Sequence, residues 1–225
     1  MCNLFSNTLP IEAMRRLFTV SADHDRLGNA EPLPAIFPKG RAPVVLVGRD
    51  GERNLVNSHW GFLLPQKSKV TGDPIQPKAV NNARDDKLRT STFWKASFEH
   101  RRCLIPATSF CEAKGRKPAI YVWFGMGSGE TSRPPFAFAG VWRDLKGWSD
   151  AQEIGDVASS MVTTRPNALV KETHPDRMPV ILDPSDYDTW LRGSPDEAFA
   201  LLRPFPAERM TIRQSGENLK SDAAG

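Results

Sequence analysis

Apolar residues follow a helical period early in the chain and again near its end. Between Pro10 and Val20, four apolar residues are three or four positions apart, which predicts an amphipathic helix. These residues are Ile11, Met14, Leu17 and Phe18. We predict further helices at Phe93 to His100, Tyr187 to Leu191 and Glu197 to Leu202. The last two each follow a capping residue and a proline at the first helical position.

Short runs of aromatic and β-branched residues, mostly bounded by Pro, Gly or Asn, lie between these helices. Such runs are typical of strands in a β-rich core. The predicted strands are Val44 to Val47, Trp60 to Leu64, Cys103 to Ile105, Ser109 to Glu112, Ile120 to Phe124, Phe136 to Trp142 and Ser160 to Thr164. The segment from Gly125 to Pro135 is rich in Gly, Ser and Pro, which predicts an exposed connection between two strands.

The elements and the length together indicate a single α+β domain, in which one compact β-rich core is flanked by helices. A chain of 225 residues lies within the range of single domains with one large core. We place the domain at residues 1–215 and expect residues 216–225 to be a disordered tail.

Composition and charge indicate a protein that works in water, with 40% hydrophobic and 25% charged residues. No apolar run approaches the roughly 20 residues of a membrane-spanning helix, and the first residues lack a secretory signal pattern. We therefore expect a cytoplasmic protein without a membrane partner. From Asn82 to Lys117, nine Lys or Arg face four Asp or Glu. This excess indicates either a nucleic-acid partner or a solvated charged face.

The cysteines point to chemistry at the N-terminus. Cys2, Cys103 and Cys111 form neither a CxxC pair nor an even set, so neither structural disulfides nor a thiolate zinc site are expected. The small side chain of Cys2 allows removal of Met1, which leaves an amine and a thiol on one residue. The amine condenses with an aldehyde to an imine, and the thiol closes on the imine carbon to form a thiazolidine. Both groups titrate near neutral pH when unperturbed.

Six motifs accompany Met1-Cys2-Asn3 in one order along the chain. They are Trp60-Gly61, Asn82-Ala83-Arg84, Arg101 to Ala107, Phe110-Cys111-Glu112, Thr163-Thr164 with Asn167, and His174 to Leu182. Each motif alone is weak, because a segment such as Arg101 to Ala107 is compatible with an ordinary strand. Their joint occurrence resembles the SOS-response-associated peptidase (SRAP) family from the N-terminus to about Leu182.

The resemblance implies a SRAP-like barrel with a groove for single-stranded DNA and a covalent link from Cys2 to the ring-opened sugar of an abasic site. In this scheme Asn82 contacts the N-terminus and the sugar. Glu112 is an acid/base group beside the Cys2 amine, and His174 assists ring opening. The resemblance also implies a lyase-like activity, a role in DNA damage and the SOS response, and a protease or hydrolase activity limited to self-processing before Cys2.

The resemblance further implies a set of DNA contacts. These residues are Trp60, Arg84, Thr163 and Arg177. Arg84 is implied to hold a backbone phosphate, and either Thr163 or Thr164 to line the pocket. No cofactor and no metal are implied. We expect a monomer that associates with the nucleoid when it binds DNA.

The proposed acid/base roles agree with the local sequence. Glu112 lies on an apolar strand between Cys111 and Ala113, where partial burial is expected to raise its pKa and suit it to proton transfer. An imidazole such as that of His174 also exchanges protons near neutral pH, and each such group contributes about 10² to 10⁴ in rate.

The chain departs from the family pattern at two places. Many members begin Met-Cys-Gly-Arg, whereas this chain has Asn3 and Leu4, so one phosphate-binding arginine is missing. Many members also place Trp after the glutamate, where this chain has Ala113. The first departure affects DNA affinity, and the second affects the packing around Glu112.

Two other function classes remain open from the sequence. An N-terminal cysteine also occurs in amidotransferases of the N-terminal-nucleophile class, whose thiol attacks an amide; glutaminase turnover would identify that class. A non-covalent binder of single-stranded nucleic acid is the other, since aromatic residues are interleaved with the basic stretch. These aromatic residues are Phe93, Trp94, Phe98 and Phe110.

Overall fold

The computed structural model describes residues 2–127, 133–145 and 157–222. The α-helices in these ranges are α1 (Ile11–Phe18), α2 (Lys95–His100), α3 (Ala168–Lys171), α4 (Tyr187–Arg192) and α5 (Pro195–Ala200). The strands are β1 (Leu4–Asn7), β2 (Leu33–Ile36), β3 (Arg41–Val47), β4 (Arg53–Trp60), β5 (Phe62–Lys67), β6 (Pro74–Val80), β7 (Asn82–Arg84), β8 (Arg102–Ala107), β9 (Ser109–Lys114), β10 (Ile120–Met126), β11 (Phe136–Asp144), β12 (Val157–Thr164), β13 (Met178–Pro179), β14 (Ile181–Leu182) and β15 (Met210–Glu217).

Five strands close into a barrel in the order β3, β4, β12, β11 and β8, and β8 pairs back with β3. Every pair in this ring is antiparallel except β4 with β12, which is parallel. A second sheet has the order β15, β10, β9, β1 and β2. The predicted α+β fold with a β-rich core is confirmed. In the part of the chain that the structure describes, no helix has the length and apolar character needed to cross a membrane.

Alternate residues of the barrel strands contribute to two buried clusters, as the period of two along a strand requires. On β3, Val44 and Leu46 pack in one cluster with Phe5 and Phe110 of the second sheet. Val45 belongs to the other cluster, which contains apolar side chains of α1, α2 and α4. The barrel is therefore covered by the second sheet on one side and by helices on another.

The predicted helices and the predicted strands are largely confirmed, with shifted ends. The predicted strand from Trp60 to Leu64 is instead broken at Gly61, whose φ is +126°. A Cβ at this position would lie 2.8 Å from the Cβ of Ala79, so glycine is required. The chain there leaves β4 and enters the two-stranded ribbon of β5 and β6. Of the predicted connection from Gly125 to Pro135, residues 128–132 lie outside the described residues.

The C-terminal segment differs from the disordered tail expected at residues 216–225. Trp123 Nε1 donates a hydrogen bond to the backbone oxygen of Leu219 at 2.8 Å. Asp222 is fully buried, where its carboxylate accepts from Ser109 Oγ at 2.5 Å and pairs with Arg133. Residues 218–222 therefore cover part of the second sheet, whereas residues 223–225 lie outside the described residues.

Truncation after Glu217 should destabilise the protein, because it removes the apolar contact of Leu219 and leaves Arg133 without its buried partner. We expect the free energy of unfolding to fall by about 2 to 4 kcal/mol, measured by urea denaturation. Truncation after Asp222 is the control, since it keeps these contacts. Equal stability of the two truncated proteins would contradict a structural role for residues 218–222.

Candidate functional site

Cys2 lies two residues before β1, which pairs with β9. In this antiparallel pair, Leu4 lies opposite Cys111 and Ser6 opposite Ser109. Cys2 is fully buried, and its Sγ lies 3.4 Å from the backbone oxygen of Leu4 and 3.9 Å from that of Cys111. The pairing therefore brings the thiol to the part of β9 that carries Glu112, the residue after Cys111.

The environment of Cys2 disfavours the thiolate. Burial raises the pKa of the Cys2 thiol well above its ordinary value, and the carboxyl group of Glu112 raises it further. The thiol is therefore protonated at neutral pH, and its use as a nucleophile needs a base nearby. The titration near neutral pH expected from the sequence does not apply to this buried thiol.

Glu112 is a buried carboxyl group, with 3% of its surface exposed. Burial raises the pKa of Glu112 to about 7, because removal from water disfavours the charged form. The expected rise in its pKa is thus present. A carboxyl group with this pKa both accepts and returns a proton near neutral pH.

Asn82 contacts the backbone of Cys2 from β7, which pairs in parallel with β12. Its Nδ2 donates to the backbone oxygen of Cys2 at 2.7 Å. Its Oδ1 is buried and has no hydrogen-bond partner among the residues that the structure describes. Because buried acceptors are rarely left unpaired, this oxygen is suited to accept a hydrogen bond from a hydroxyl or amine group in the site.

His174 lies in the loop between α3 and β13. Its Nδ1 accepts a hydrogen bond from the backbone N–H of Arg177 at 3.2 Å, which orients the ring. Burial lowers the pKa of His174, because removal from water disfavours the charged imidazolium.

Arg177 and Thr163, which were both predicted to contact DNA, are hydrogen-bonded to each other. The guanidinium of Arg177 donates to the backbone oxygen of Thr163 and pairs with Asp85 at 2.7 Å. Thr163 is fully buried, and Thr164 is 2% exposed. Neither threonine offers appreciable surface to a ligand.

The basic stretch from Asn82 to Lys117 does not form one surface of free cations. Arg84 is exposed and makes two hydrogen bonds of 2.9 Å to Asp86. Arg89 pairs with Asp196 at 2.6 Å. Arg102 is buried and donates to backbone oxygens of α2 and α4 and to that of Gly193. Part of the local charge therefore stabilises the fold.

Trp60 does not support the predicted DNA contact. Its ring is fully buried and meets Phe5 edge to face at 4.8 Å between centroids. Its Nε1 donates to the backbone oxygen of Asn81 at 3.2 Å. Its contacts are therefore with the core and with the segment before β7. An indole with no exposed face cannot stack on a base.

Asn81 is a site residue that the sequence interpretation missed. Its Nδ2 lies 3.1 Å from the backbone oxygen of Cys2 and 3.1 Å from Asn3 Oδ1, and donates to both. The available signal was its position directly before the Asn82-Ala83-Arg84 motif. In residues 2–127, 133–145 and 157–222, no three His, Cys, Asp or Glu side chains converge as metal ligands.

The fold and the site define a β-barrel protein with a buried cysteine at position 2 beside a protonatable carboxyl group. The model of the family described as SOS response associated peptidase (SRAP) matches residues 1–221. The chain belongs to this family, which confirms the resemblance inferred from the motifs.

Relatives and solved structures agree with this assignment. The abasic site processing protein YoaM of Bacillus subtilis is 31% identical over 213 residues, with 88% of each chain covered. The abasic site processing protein YoqW of the same organism is 29% identical over 88% of this chain and 90% of its own. A crystal structure of a Bordetella bronchiseptica protein superposes with a TM-score of 0.72 at 22% identity, covering 96% of this chain and 99% of that one. A Bacteroides thetaiotaomicron protein gives a TM-score of 0.70 at 21% identity, covering 97% and 93%.

Replacement of Glu112 by Gln should stabilise the folded protein at alkaline pH. The pKa of Glu112 is raised from 4.5 to about 7 on folding, so the folded state binds a proton that the unfolded state releases between these values. Native stability therefore falls as pH rises through this window. We expect Glu112→Gln to gain about 2 to 3 kcal/mol relative to the native protein between pH 5 and pH 8, measured by urea denaturation.

The control for this prediction is Glu52→Gln, at an exposed position. The difference in free energy of unfolding between this variant and the native protein should be the same at pH 5 and at pH 8. A Glu112→Gln difference that does not change with pH would mean that Glu112 is not held protonated by burial.

Proposed function

We propose that this protein captures abasic sites in single-stranded DNA, through a thiazolidine formed between Cys2 and the sugar aldehyde after removal of Met1. The observation that carries the proposal is the placement of Cys2 beside Glu112, a buried carboxyl group with a pKa of about 7. The names of the relatives YoaM and YoqW support abasic-site DNA as the substrate.

The reaction joins one aldehyde to the two nucleophiles of Cys2. The α-amino nitrogen adds to the aldehyde carbon, and the resulting carbinolamine loses water to give an imine. The sulfur then adds to the imine carbon, its proton passing to the nitrogen through a neighbouring base. The net change is two bonds to the former aldehyde carbon and the release of one water molecule.

The surrounding side chains supply the proton transfers. Glu112 accepts the proton of the amine or thiol and returns it to the departing carbinol oxygen. His174, neutral at pH 7 because burial lowers its pKa, exchanges a proton with the sugar during ring opening. Asn82 Oδ1, a buried acceptor without a hydrogen-bond partner among the described residues, accepts a hydrogen bond from the sugar or the amine.

The DNA backbone contacts involve cations that already have acidic partners. Arg84 and Arg177 pair with Asp86 and Asp85 respectively. A phosphate near these pairs competes with the carboxylates for the guanidinium groups, so the acidic residues limit the affinity for undamaged DNA. In this proposal the protein binds DNA weakly and reversibly, and the covalent bond to the abasic site then retains it.

The other activities of the proposal follow from the same chemistry. An imine at the sugar C1 acidifies the C2 hydrogens, and loss of one expels the 3′ phosphate, which is a lyase reaction. The proposed self-processing is hydrolysis of the peptide bond before Cys2. A purely non-covalent mode is less supported, because three of the four aromatic side chains in the basic stretch are buried, with at most 6% exposed. These three are Trp94, Phe98 and Phe110.

Cys2→Ala should separate the two bond-forming steps. The variant keeps the amine but lacks sulfur, so we expect an imine that borohydride traps and that leads to strand cleavage. The native protein should give a heat-stable adduct on intact DNA without borohydride. Denaturing gels of protein incubated with an abasic single-stranded oligonucleotide measure both outcomes.

The control for thiol identity is Cys111→Ser, which should still form the heat-stable adduct. An N-terminal tag that cannot be cleaved should abolish it. A Cys2→Ala protein with the same heat-stable, borohydride-independent adduct would rule out the thiazolidine.

Binding to undamaged single-stranded DNA should weaken with salt, because phosphate contacts release counterions. Each contact contributes about −0.7 to the slope of log affinity against log salt. Arg84→Ala should make the slope shallower by about that amount, while Asp86→Asn should strengthen binding because it removes the competing carboxylate. A salt-independent affinity, measured by fluorescence anisotropy, would contradict the proposed phosphate contacts.

A further inference from the structure

We propose that Asn81 is a positioning residue, which acts with Asn82 to fix the Cys2 carbonyl so that amine and sulfur close the ring on the same aldehyde carbon. This inference rests on the proposed function of Cys2 and concerns how its two nucleophiles are held. Asn81 is not proposed to touch the DNA.

Two amide groups converge on one backbone oxygen. The Nδ2 atoms of Asn81 and Asn82 donate to the oxygen of Cys2 at 3.1 and 2.7 Å. Both side chains are buried, so water does not readily replace either donor. A carbonyl oxygen has two acceptor positions, and these two amides occupy both.

The backbone of Asn81 is itself anchored to the barrel. Its oxygen accepts hydrogen bonds from the Trp60 indole at 3.2 Å and from the Met161 backbone N–H at 3.0 Å. The preceding oxygen, that of Val80, accepts from Ser160 Oγ. Asn81 thus projects from a fixed segment, and the buried Trp60 is connected to Cys2 through it.

Fixing this carbonyl matters because Cys2 becomes the first residue of the mature chain. Chain ends fray unless they are tied down, and a terminal residue has a peptide bond on one side only. Ring closure requires the nitrogen and sulfur of Cys2 to be gauche to each other about its Cα–Cβ bond. A carbonyl held by two donors, with Sγ near the Leu4 oxygen, restricts the rotations that would separate them.

The shared acceptor determines how the two amides depend on each other. Loss of one donor leaves the other in place, so a single substitution should have a moderate effect. Loss of both donors should slow ring closure by more than the product of the two single reductions in rate, because residues that share one partner are not independent. Asn81 also donates to Asn3 Oδ1 at 3.1 Å, which ties the next residue to the same segment.

The test compares ring closure with imine formation in Asn81→Leu, which matches the side chain in size but cannot donate. The probe is an abasic single-stranded oligonucleotide. The heat-stable adduct reports ring closure, and the additional adduct trapped by borohydride reports open imine. We expect ring closure about threefold to tenfold slower than in the native protein, a larger imine fraction, and unchanged affinity for undamaged DNA. Asn81→Gln, which keeps an amide, should recover part of the rate.

Asn54→Leu is the matched control, since Asn54 is also a buried asparagine, 3% exposed, whose Nδ2 donates to a backbone oxygen elsewhere. It should leave the ratio of ring-closed to imine adduct unchanged. Equal changes in both variants would overturn the inference, because the effect would then be general destabilisation. Should Asn81→Leu not fold, Asn81→Ser is measured in its place with the same expected slowing.

A native rate and a native imine fraction in a folded Asn81 variant would overturn the positioning role while leaving the adduct intact. Absence of a heat-stable adduct in the native protein would instead overturn the proposed function. The two failures are therefore distinguishable in one experiment.

Discussion

The burial of one carboxyl group is the constraint on which the site depends. Glu112 lies on β9 between β1 and β10, and this position removes it from water. The charged form loses solvation there, so its pKa rises to about 7. The strand pairing that buries Glu112 also sets Cys2 beside it. The raised pKa of Glu112 and the placement of Cys2 therefore have a common structural origin.

The site also lies where the two sheets meet. Cys2 leads into β1 of the second sheet, whereas Asn81 and Asn82 belong to a segment that pairs with barrel strand β12. The hydrogen bonds from these amides to the Cys2 oxygen connect the sheets at the chain end. Packing of the second sheet on the barrel is therefore a determinant of how Cys2 is oriented.

The sequence predicted the family, the α+β class and four of the five α-helices in the described residues, because several motifs occur in one order and the apolar periods are clear; α3 was not predicted. The strands β1 and β7 were not predicted, since strands of four and three residues show too little alternation. The longer strands β4, β6 and β15 were also not predicted. Burial of Trp60 could not be told from a stacking role, because an aromatic residue suits both. The ordering of residues 218–222 was missed because it depends on distant partners, Ser109 and Arg133. Charge counts likewise do not show which cations are already paired.

Intact mass spectrometry of the native protein, after incubation with an abasic single-stranded oligonucleotide and denaturation, tests the central claim most directly. The account predicts the mass of the chain without Met1 plus the oligonucleotide minus one water, with the modification mapped to the N-terminal Cys2 peptide. A protein that keeps its unmodified mass, or an adduct mapped to a lysine elsewhere in the chain, would contradict it.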